Sequence, residues 1–555
     1  MSFSVVSDKT KFKFKKKYVV AIDHEGYTEI MIISPVVLLV LDGWGITRNL
    51  RGNAIREAYT PALDYIAAFH PSLALRASGF SVGLLWGEPG NSEAGHTAIG
   101  TGRIVYHHLP RILQEIRNGI FFENPVLVGA IAHTKKYHSR LHIVGLVSGA
   151  AVHSYLEHLY ALFELAQRTK TPTLLHVFTD GKDSPPGQAL SILESVRYRI
   201  SENSYPVQYA TIMGRYYAMD HSGAWDRVES AYKTLTGEAG MKVGDLLEHV
   251  SGEYVRGVTD EFITPAASIL GGANGEGYIR PNDAVIFFNF RKDGMRELVS
   301  AFALPDFDGF SRPFLQNLYI ATFTQYEKNL PVGVAFSEPD ILNPLSEVIS
   351  RHGIKQLKIA ESQKIAHLTY FFSGGREEPF AFESRSVLPS DPAENLALHP
   401  EMRADDISQE IVRAVERTGY ECIIANLANA DAAAHTGNYQ TTMRAAEAVD
   451  RAVERIYKSI AHRRGALIIT SDHGSAEELF NTRTGNVKTG HSENLVPLYF
   501  ITSRNRFRAL REEKELERRF GQPMGVLADI APTILELLGV KKPPEITGRS
   551  LMGLL

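Results

Sequence analysis

Runs of consecutive apolar residues, many of them β-branched, recur along the chain. The clearest runs cover 36–42, 141–148, 173–180, 207–214, 284–290, 421–431, 466–474 and 496–502. Their hydrophobicity is continuous rather than alternating, which predicts strands covered on both faces, as in parallel α/β sheets. Amphipathic helical patterns lie between the runs, most clearly at 189–201 and 443–463. The predicted fold class is therefore α/β throughout.

Three of the predicted strands end in acidic or imidazole side chains. Asp42 closes VVLLVLD, Asp431 closes IIANLANAD, and Asp472 and His473 close LIITSDH. Ligands of open α/β sheets lie beyond the carboxyl ends of the strands. These ends converge only if the first apolar run joins the sheet formed by the last runs, so that the middle of the chain is an inserted domain.

Three parts of the chain are expected. They are an N-terminal extension at 1–34, a discontinuous metal-binding domain at 35–106 and 339–555, and an inserted domain at 107–338. Hinges are expected near 105–110 and 335–345. The extension contains the basic run KFKFKKK but no apolar segment of signal-peptide length. It is interpreted as a loose extension or a wrongly chosen start, with a flexible basic arm as the alternative.

Composition limits the class of protein. A chain of 555 residues is too long for one ordinary core, and its 44% hydrophobic and 22% charged residues are typical of globular proteins. A net charge of −4 gives no strong attraction to nucleic acid or to an anionic membrane. The single cysteine, Cys422, lies in an apolar run and is expected to be an inert core residue.

The acidic and imidazole residues form a candidate metal constellation. Asp431 and His435 are spaced i, i+4, so one helical turn can offer both to one ion. Mixed oxygen and nitrogen ligands suit Mn²⁺ or Zn²⁺ better than Ca²⁺. Each motif alone has an ordinary explanation, since DG is a common turn and a histidine near a helix end is favoured by the dipole. Their joint occurrence predicts two neighbouring ions; the candidate ligands are Asp42, Ser92, Asp431, His435, Asp472, His473 and His491.

The loop GEPGNSEAGH at 87–96 presents Ser92 among glycines. Such a loop can be a simple connector, because glycine adopts positive φ at little cost. It can also present a nucleophile where bulkier side chains would block a substrate. Beside metal ions a serine loses its proton more readily and can attack phosphorus.

Taken together, these motifs resemble those of the cofactor-independent phosphoglycerate mutases of the alkaline phosphatase superfamily. The resemblance runs from about residue 35 to the C-terminus. The motifs that carry it are LDGWG (41–45), GNAI (52–55), GNSEAGHTAIGTGRIVY (90–106), VHS (152–154), FTDGKDSPP (178–186), MGRYYAMD (213–220), FFNFRKD (287–293), KIAHLTYFFSGG (364–375), NADAAAHTGN (429–438), TSDHGSAE (470–477) and GHSENLVPL (490–498).

The resemblance implies a reaction and a set of residues. Asp431, His435 and His491 would hold one Mn²⁺, and Asp42, Ser92, Asp472 and His473 the other, with Zn²⁺, Co²⁺ or Mg²⁺ possible. Ser92 would take the phosphoryl group from phosphoglycerate and return it to the other hydroxyl. Asp183 would move a proton; the substrate residues implied are His153, Lys182, Asp183, Arg215, His221, Arg291 and Lys364. The implied protein is a monomeric, cytoplasmic, glycolytic isomerase.

The substrate motifs depart from the family pattern. Gly149 replaces an aspartate, Lys182 an arginine, His221 an arginine and Gly294 another arginine. Lys292 or Arg296 are candidates for compensation. Three interpretations remain open: a phosphoglycerate mutase with rearranged contacts, a paralogue acting on a related phospho- or phosphono-carboxylate, or a protein that hydrolyses or only binds such a compound.

Overall fold

The computed structural model describes residues 33–49, 51–269, 277–417, 419–461, 463–481, 484–505 and 513–555. They form two compact units. The first comprises the described residues up to Tyr106 together with Asp340–Leu555, and the second runs from His107 to Pro339. The predicted N-terminal extension lies outside the described residues up to position 32.

The two units contain the following strands and helices. The strands are β1 (Val36–Leu41), β2 (Ser72–Arg76), β3 (Leu141–Leu146), β4 (Thr173–Thr179), β5 (Val207–Gly214), β6 (Met241–Val243), β7 (Ala266–Ser268), β8 (Ala284–Phe287), β9 (Tyr319–Thr322), β10 (Gly333–Val334), β11 (Gln356–Glu361), β12 (Glu383–Leu388), β13 (Cys422–Leu427), β14 (Ala466–Thr470), β15 (Val496–Thr502) and β16 (Pro523–Val526). The α-helices are α1 (Ala54–Glu57), α2 (Pro61–Phe69), α3 (Ser92–Thr101), α4 (His108–Arg117), α5 (Pro125–Tyr137), α6 (Leu156–Thr169), α7 (Ala189–Glu202), α8 (Arg215–Ala218), α9 (Trp225–Thr236), α10 (Leu246–Val255), α11 (Arg296–Ala303), α12 (Leu345–Arg351), α13 (Ala404–Glu416), α14 (Asn429–His435), α15 (Tyr439–Ala461), α16 (Glu513–Phe520) and α17 (Ile530–Leu537). None of the helices in the described part of the chain is both long and apolar enough to span a lipid bilayer.

The first unit is built on an eight-stranded sheet with the order β12-β11-β13-β1-β14-β15-β2-β16. β1 pairs in parallel with β13 on one side and with β14 on the other. This pairing confirms that the first apolar run joins the sheet of the C-terminal runs. β15 is antiparallel to both β14 and β2, so the expectation of parallel strands is wrong there. A strand buried on both faces shows the same continuous pattern in either direction.

Both faces of this sheet are covered. Alternate residues of β1 beginning with Val36 pack in one hydrophobic cluster, and those beginning with Val37 pack in another. Cys422, at the start of β13, is buried and free. Burial raises the pKa of its thiol to about 12, which keeps it protonated, as expected of an inert core cysteine.

The second unit has its own eight-stranded sheet, with the order β10-β9-β8-β3-β4-β5-β7-β6. β3 pairs in parallel with β4 and β8. Among the described strand pairs of this second sheet, only β5–β7 is antiparallel. The cavity described below lies beyond the carboxyl ends of β4, β5 and β8, where a ligand site is expected in an open α/β sheet.

One predicted strand boundary is wrong. The run 421–431 is a strand only as far as Leu427, and Asp431 lies in the first turn of α14. Ala428 and Ala430, which precede the metal-ligand candidate Asp431, are apolar enough to extend the strand pattern. In the structure Ala433 and Ala434 are buried as part of a short helix instead. The i, i+4 spacing of Asp431 and His435 therefore does place both on one helical turn.

His158, on α6, is a buried histidine in an aromatic environment. It is fully buried, its ring meets Phe290 edge-on at 5.8 Å, and neither ring nitrogen forms a hydrogen bond of normal geometry. Burial lowers the pKa of His158 to about 3, against a small opposing effect of the Leu109 backbone. The unfolded chain therefore binds a proton at this residue below pH 6.5, while the folded chain does not. Folding stability is lost as pH falls from 6.5.

Replacing His158 by phenylalanine should therefore stabilise the protein more at low pH than at neutral pH. The gain in the free energy of unfolding at pH 5.0 should exceed that at pH 7.5 by about 2 kcal/mol, because the unfolded variant has no imidazole to protonate. Urea unfolding of parent and variant at the two pH values measures this difference. An equal gain at both values would contradict the assigned protonation state of His158.

Candidate metal centre and anion-binding cavity

Ser92 begins α3, and glycines on either side let its loop close tightly onto the sheet. A Cβ added to Gly90 would lie 2.1 Å from the carbonyl oxygen of Ala77. A Cβ on Gly95 would lie 2.3 Å from the carbonyl oxygen of Asp472. Real Cβ atoms do not approach so closely, so these glycines are required by packing. The loop is therefore not a simple connector but holds the hydroxyl against strand ends that carry candidate ligands.

The first candidate metal-ligand group surrounds this hydroxyl. Ser92 Oγ lies 3.0 Å from His473 Nε2 and 3.2 Å from Asp42 Oδ1. His473 Nε2 lies 3.4 Å from Asp42 Oδ1 and 3.6 Å from Asp472 Oδ2. Asp42, Asp472 and His473 are fully buried and offer ligand atoms within 4.8 Å of one another. The structure thus brings together the four residues that the resemblance assigned to one ion.

The electrostatics of this group favour a cation. Burial alone would lower the pKa of His473, but the carboxylates of Asp472, Asp42 and Asp431 raise it to about 10. Asp472 Oδ2 is buried without a hydrogen bond. Desolvated carboxylates crowded in this way need a positive charge between them.

The second candidate group consists of Asp431, His435 and His491. The imidazole Nδ1 of His435 donates to the carbonyl oxygen of Thr489, and that of His491 to the carbonyl oxygen of Gly90, both at 2.8 Å. This leaves the two Nε2 atoms, 3.2 Å apart, as acceptors facing each other. They lie 3.3 and 3.5 Å from Asp431 Oδ1, which is itself buried without a hydrogen bond.

Three acceptor atoms that converge with no donor between them fit a metal ion. A histidine that binds a metal characteristically donates its other ring N–H to a carbonyl or carboxylate, as both imidazoles do here. In the chain alone, the hydrogen-bonding contact with the Asp431 carboxylate raises the pKa of His435, while burial opposes this. Both groups of residues therefore fit the metal ions that the sequence predicts.

Lys364 connects the two groups. Its Nζ donates to Asp42 Oδ1 at 2.9 Å, to Asp431 Oδ2 at 3.0 Å and to Ser92 Oγ at 2.9 Å. The sequence placed Lys364 among the substrate residues near a hinge, and the structure places it at the serine and the candidate ligands. Burial alone would lower its pKa, but the surrounding carboxylates raise it well above the usual lysine range.

Sequence reasoning missed two buried residues behind the first group. His96 lies 3.2 Å from Asp472 Oδ2 and contacts the carbonyl oxygen of Ser92 through the same Nδ1 at 2.8 Å. Asn426, on β13, donates to Asp42 Oδ2 at 2.7 Å. Both side chains contact ligand candidates, and neither forms a hydrogen bond with the Ser92 hydroxyl. In the sequence, a polar residue at position 426 inside the apolar run of β13 could have identified Asn426 as a site residue.

A separate polar cavity of about 310 Å³ lies within the second unit. It brings together most of the substrate residues that the resemblance implied: His153, Lys182, Asp183, Arg215, His221 and Arg291. Gly294 also lines it, whereas neither Lys292 nor Arg296 is among the described lining residues. The lining carries four cations and four carboxylates around a space large enough for a small phosphorylated acid; they are Lys182, Arg215, Arg227 and Arg291, and Asp183, Asp220, Glu261 and Asp293.

Arg215 is less exposed than the other arginines and the lysine that line this cavity. It donates to Asp180 Oδ1 at 2.7 Å, to Asp183 Oδ2 at 2.5 Å and to His153 Nε2 at 3.0 Å. Burial alone would lower its pKa, but the two carboxylates raise it. Burial, followed by the charge of Arg215, lowers the pKa of His153, which favours a neutral imidazole. Asp183 and His153 thus share one guanidinium at the cavity wall.

Lys182, His221 and Arg291 are more exposed. Arg291 donates through Nε to Asp293 at 3.0 Å, and its side chain is 53% exposed. Lys182 and His221 are exposed at the cavity rim. Gly294 is buried, and a Cβ there would lie 2.9 Å from the terminal methyl carbon of Met219. Met219 therefore occupies space that a longer side chain at position 294 would need.

Arg227 is a cavity residue that sequence reasoning missed. Its Nη1 donates to Asp220 Oδ1 at 3.0 Å, and its guanidinium carbon lies 4.0 Å from the centre of the Tyr216 ring. The Asp220 carboxylate also accepts from the backbone nitrogens of Ser222 and Ala224, at 2.9 and 3.0 Å. One carboxylate thus shapes the turn before α9 and fixes a guanidinium at the cavity wall. No motif in the sequence marked this arginine.

Comparison with known proteins identifies the family of the chain. A family described as "BPG-independent PGAM N-terminus" matches residues 112–328, which lie within the second unit. The 2,3-bisphosphoglycerate-independent phosphoglycerate mutase of Thermosynechococcus vestitus is 41% identical over 524 residues, which cover 94% of this chain and 96% of that protein. The chain belongs to the cofactor-independent phosphoglycerate mutase family.

Other members of the cofactor-independent phosphoglycerate mutase family are similarly related. The enzyme of Pyropia yezoensis is 42% identical over 533 residues, covering 94% of this chain and 96% of its own length. A solved phosphoglycerate mutase of Leishmania mexicana, studied at low cobalt concentration, is 26% identical with a TM-score of 0.57. That alignment covers 93% of this chain and 97% of the Leishmania protein. The α/β fold is therefore that of a mutase of this family.

Proposed function

We propose that the protein interconverts 3-phosphoglycerate and 2-phosphoglycerate through a phosphoserine at Ser92. The observation that carries this proposal is the convergence of Ser92 Oγ, the ammonium of Lys364 and two candidate metal-ligand groups. Lys364 Nζ lies within 3.0 Å of the serine oxygen and of a carboxylate from each group. No bisphosphoglycerate is needed, since the serine itself carries the phosphoryl group between the two hydroxyls of glycerate.

Two Mn²⁺ ions are the cofactors that the ligand chemistry favours, with Zn²⁺, Co²⁺ and Mg²⁺ as alternatives. Asp431, His435 and His491 would hold one ion; Asp42, Ser92, Asp472 and His473 would hold the other. Bound divalent ions supply positive charge that favours a deprotonated serine and that offsets charge on a phosphoryl group in transfer.

The chain itself supplies the nucleophile and part of its activation. Lys364 donates a hydrogen bond to Ser92 Oγ, which stabilises negative charge on that oxygen. In the first half-reaction the bond between phosphorus and one glycerate oxygen breaks, and a bond from Ser92 Oγ to phosphorus forms. In the second half-reaction the same group returns to the other hydroxyl.

The cavity of the second unit would bind the acid. Guanidinium groups bind carboxylate and phosphate oxygens in two-point fashion, and Arg215 and Arg291 provide two of them. Lys182 adds a third positive charge, and Arg227 provides a further guanidinium that partly replaces those missing at positions 221 and 294. Asp183, held by Arg215, is proposed to exchange a proton with a glycerate hydroxyl.

The altered cavity also supports a second candidate substrate class. His221 at the rim and Met219 against Gly294 leave fewer guanidinium contacts than the family pattern has. A related phospho- or phosphono-carboxylate with a different charge distribution would be accepted instead, or a phosphoester would be hydrolysed. Phosphoglycerate conversion itself belongs to glycolysis, and the single buried Cys422 fits a reducing cytoplasm, where we expect a monomer.

One assay separates these functions. Protein loaded with Mn²⁺ is incubated with 3-phosphoglycerate in the absence of bisphosphoglycerate, and 2-phosphoglycerate and inorganic phosphate are both quantified. A mutase produces 2-phosphoglycerate, whereas a hydrolase releases phosphate. If neither product forms from 3-phosphoglycerate but a phosphonate analogue is turned over, the second substrate class is correct.

Arginine at position 221 should improve the use of 3-phosphoglycerate, whereas arginine at position 294 should not. His221→Arg adds a guanidinium at an exposed cavity position and should lower the KM by about tenfold, the effect of one charged hydrogen bond. Gly294→Arg forces Met219 to move, so alone it should bring little gain. Steady-state kinetics of both variants measure this contrast. A larger gain from Gly294→Arg would contradict the packing argument.

A further inference from the structure

Glu477 is a buried carboxylate whose hydrogen-bond partners come from three separate loops. Its Oε2 accepts from the backbone nitrogens of Gly45, at 3.0 Å, and Ser475, at 2.8 Å. Its Oε1 accepts from the Ser492 hydroxyl and, at 2.9 Å, from the side-chain amide of Asn494. Glu477 is 1% exposed, and none of the described lysines, arginines or histidines forms an ion pair with it. Four neutral donors therefore replace its water.

Each of these three loops also carries proposed metal ligands. The first loop carries Asp42, the second carries Asp472 and His473, and the third carries His491. The backbone or side-chain donors to Glu477 lie within one to three residues of these ligands in the sequence. The loops follow β1 and β14 or precede β15, which are adjacent strands of the sheet.

The backbone of the loops is packed directly onto this carboxylate. A Cβ on Gly45 would lie 2.2 Å from the carboxyl carbon of Glu477, and one on Gly474 would lie 2.5 Å from Oε1. The backbone nitrogen of Ser492 donates to the carbonyl oxygen of Gly474 at 2.9 Å, which ties the second and third loops together. A change of side chain at position 477 therefore displaces the backbone of these loops, because no solvent lies between them and the carboxyl group.

We propose that Glu477 is a positioning residue that sets the three ligand loops in place before metal binds. The inference rests on the metal-binding role proposed above. All four partners of Glu477 are donors or can donate, so a carboxylate, with two acceptor oxygens, satisfies them together. A glutamine there offers one acceptor oxygen and one amide, and that amide faces the donor group of Asn494. The Ser492 hydroxyl can turn to accept from it, whereas Asn494 can accept only by turning its Nδ2 away from Glu478, to which it donates at 2.9 Å.

The test is a calorimetric titration of the metal-free full-length chain with Mn²⁺. Glu477→Gln should raise the apparent dissociation constant about 10- to 100-fold, the usual effect of losing a partner that orients metal ligands. The matched control is Asp450→Asn, which alters another buried carboxylate of the first unit, one that accepts from the backbone nitrogens of Ala62 and Leu63 at 3.1 and 2.8 Å and does not contact the three loops. That control should bind Mn²⁺ as the parent does. Equal binding by the Glu477→Gln variant and the parent would overturn the proposal.

Two further measurements test the positioning role of Glu477 independently of the Mn²⁺ titration of Glu477→Gln. In the metal-free chain, hydrogen exchange at 41–45, 471–475 and 490–494 should be faster in Glu477→Gln than in the parent, while the sheet core is unchanged. This readout tests the positioning of the loops even if the parent binds no Mn²⁺. Absence of Mn²⁺ binding by the parent would refute the proposed function but not the positioning role of Glu477. If Glu477→Gln fails to fold, Ser492→Ala removes one donor and should weaken Mn²⁺ at the His491 group selectively. Unchanged binding in Ser492→Ala would then overturn the inference.

Discussion

Replacing Ser92 by alanine is expected to lower kcat for the conversion of 3-phosphoglycerate by about 10⁴-fold or more, as does the loss of a catalytic nucleophile in other enzymes. The hydroxyl oxygen is the group to which phosphorus would be bonded between the two half-reactions. No neighbouring group can replace it, since its contacts are an ammonium, a carboxylate and an imidazole that are needed in their present roles. An enolase-coupled assay measures the loss.

A matched variant shows whether the loss is specific. Ser373 is also a buried serine of the first unit, and its hydroxyl accepts a hydrogen bond from Lys358 Nζ at 3.1 Å. Ser373→Ala should keep nearly full activity, because it removes the same atom outside the proposed site. Ser92→Ala should still bind at least one Mn²⁺, since its other ligand candidates remain. Activity of Ser92→Ala within tenfold of the parent would refute a phosphoserine mechanism.

The phosphoserine itself offers a second, direct test. The parent, mixed briefly with phosphoglycerate labelled in the phosphoryl group and quenched with denaturant, should carry label in the peptide 90–106. Ser92→Ala should carry none. Label at any other serine would contradict the assignment of Ser92 even if the variant is inactive.

The parts of the site that the sequence predicts are those fixed by local pattern. Asp42 directly follows β1, and Asp472 follows β14 by two residues, so the end of an apolar run marks each of them. Because β1 lies between β13 and β14, these two ends meet at one edge of the sheet. The sequence predicted, from that same convergence, that the first apolar run joins the sheet of the C-terminal runs and that the middle of the chain is inserted; it did not predict the order of the strands.

The parts that the sequence does not predict depend on long-range contacts. The direction of β15 is one, since burial on both faces produces the same apolar run in parallel and antiparallel strands. The role of Glu477 is another, because its four donors lie on segments separated by more than 400 residues at the extremes. Arg227 is a third, because its partners are an aspartate and a tyrosine that look like ordinary surface residues in the sequence.

Replacing Lys364 by methionine is expected to change the rate of phosphoryl transfer and the affinity for Mn²⁺ in opposite directions. The rate of phosphoryl transfer should fall about 10²- to 10³-fold, as on removal of one charged donor to a reacting oxygen. The affinity for Mn²⁺ should rise. The ammonium lies within 3.0 Å of Asp42 and Asp431, and methionine removes a positive charge that repels an incoming cation from both carboxylates.

The two readouts decide between an electrostatic and a structural role of Lys364. The surrounding carboxylates raise its pKa well above the usual range although burial opposes this, which favours a charged ammonium that donates to Ser92 Oγ. If Lys364 merely supported the fold, Lys364→Met would weaken Mn²⁺ binding and slow transfer together. The exposed Lys355 provides the control, since Lys355→Met removes a lysine of the same unit and should change neither quantity. Slower transfer with tighter Mn²⁺ binding is the result that only a charged donor at Ser92 explains.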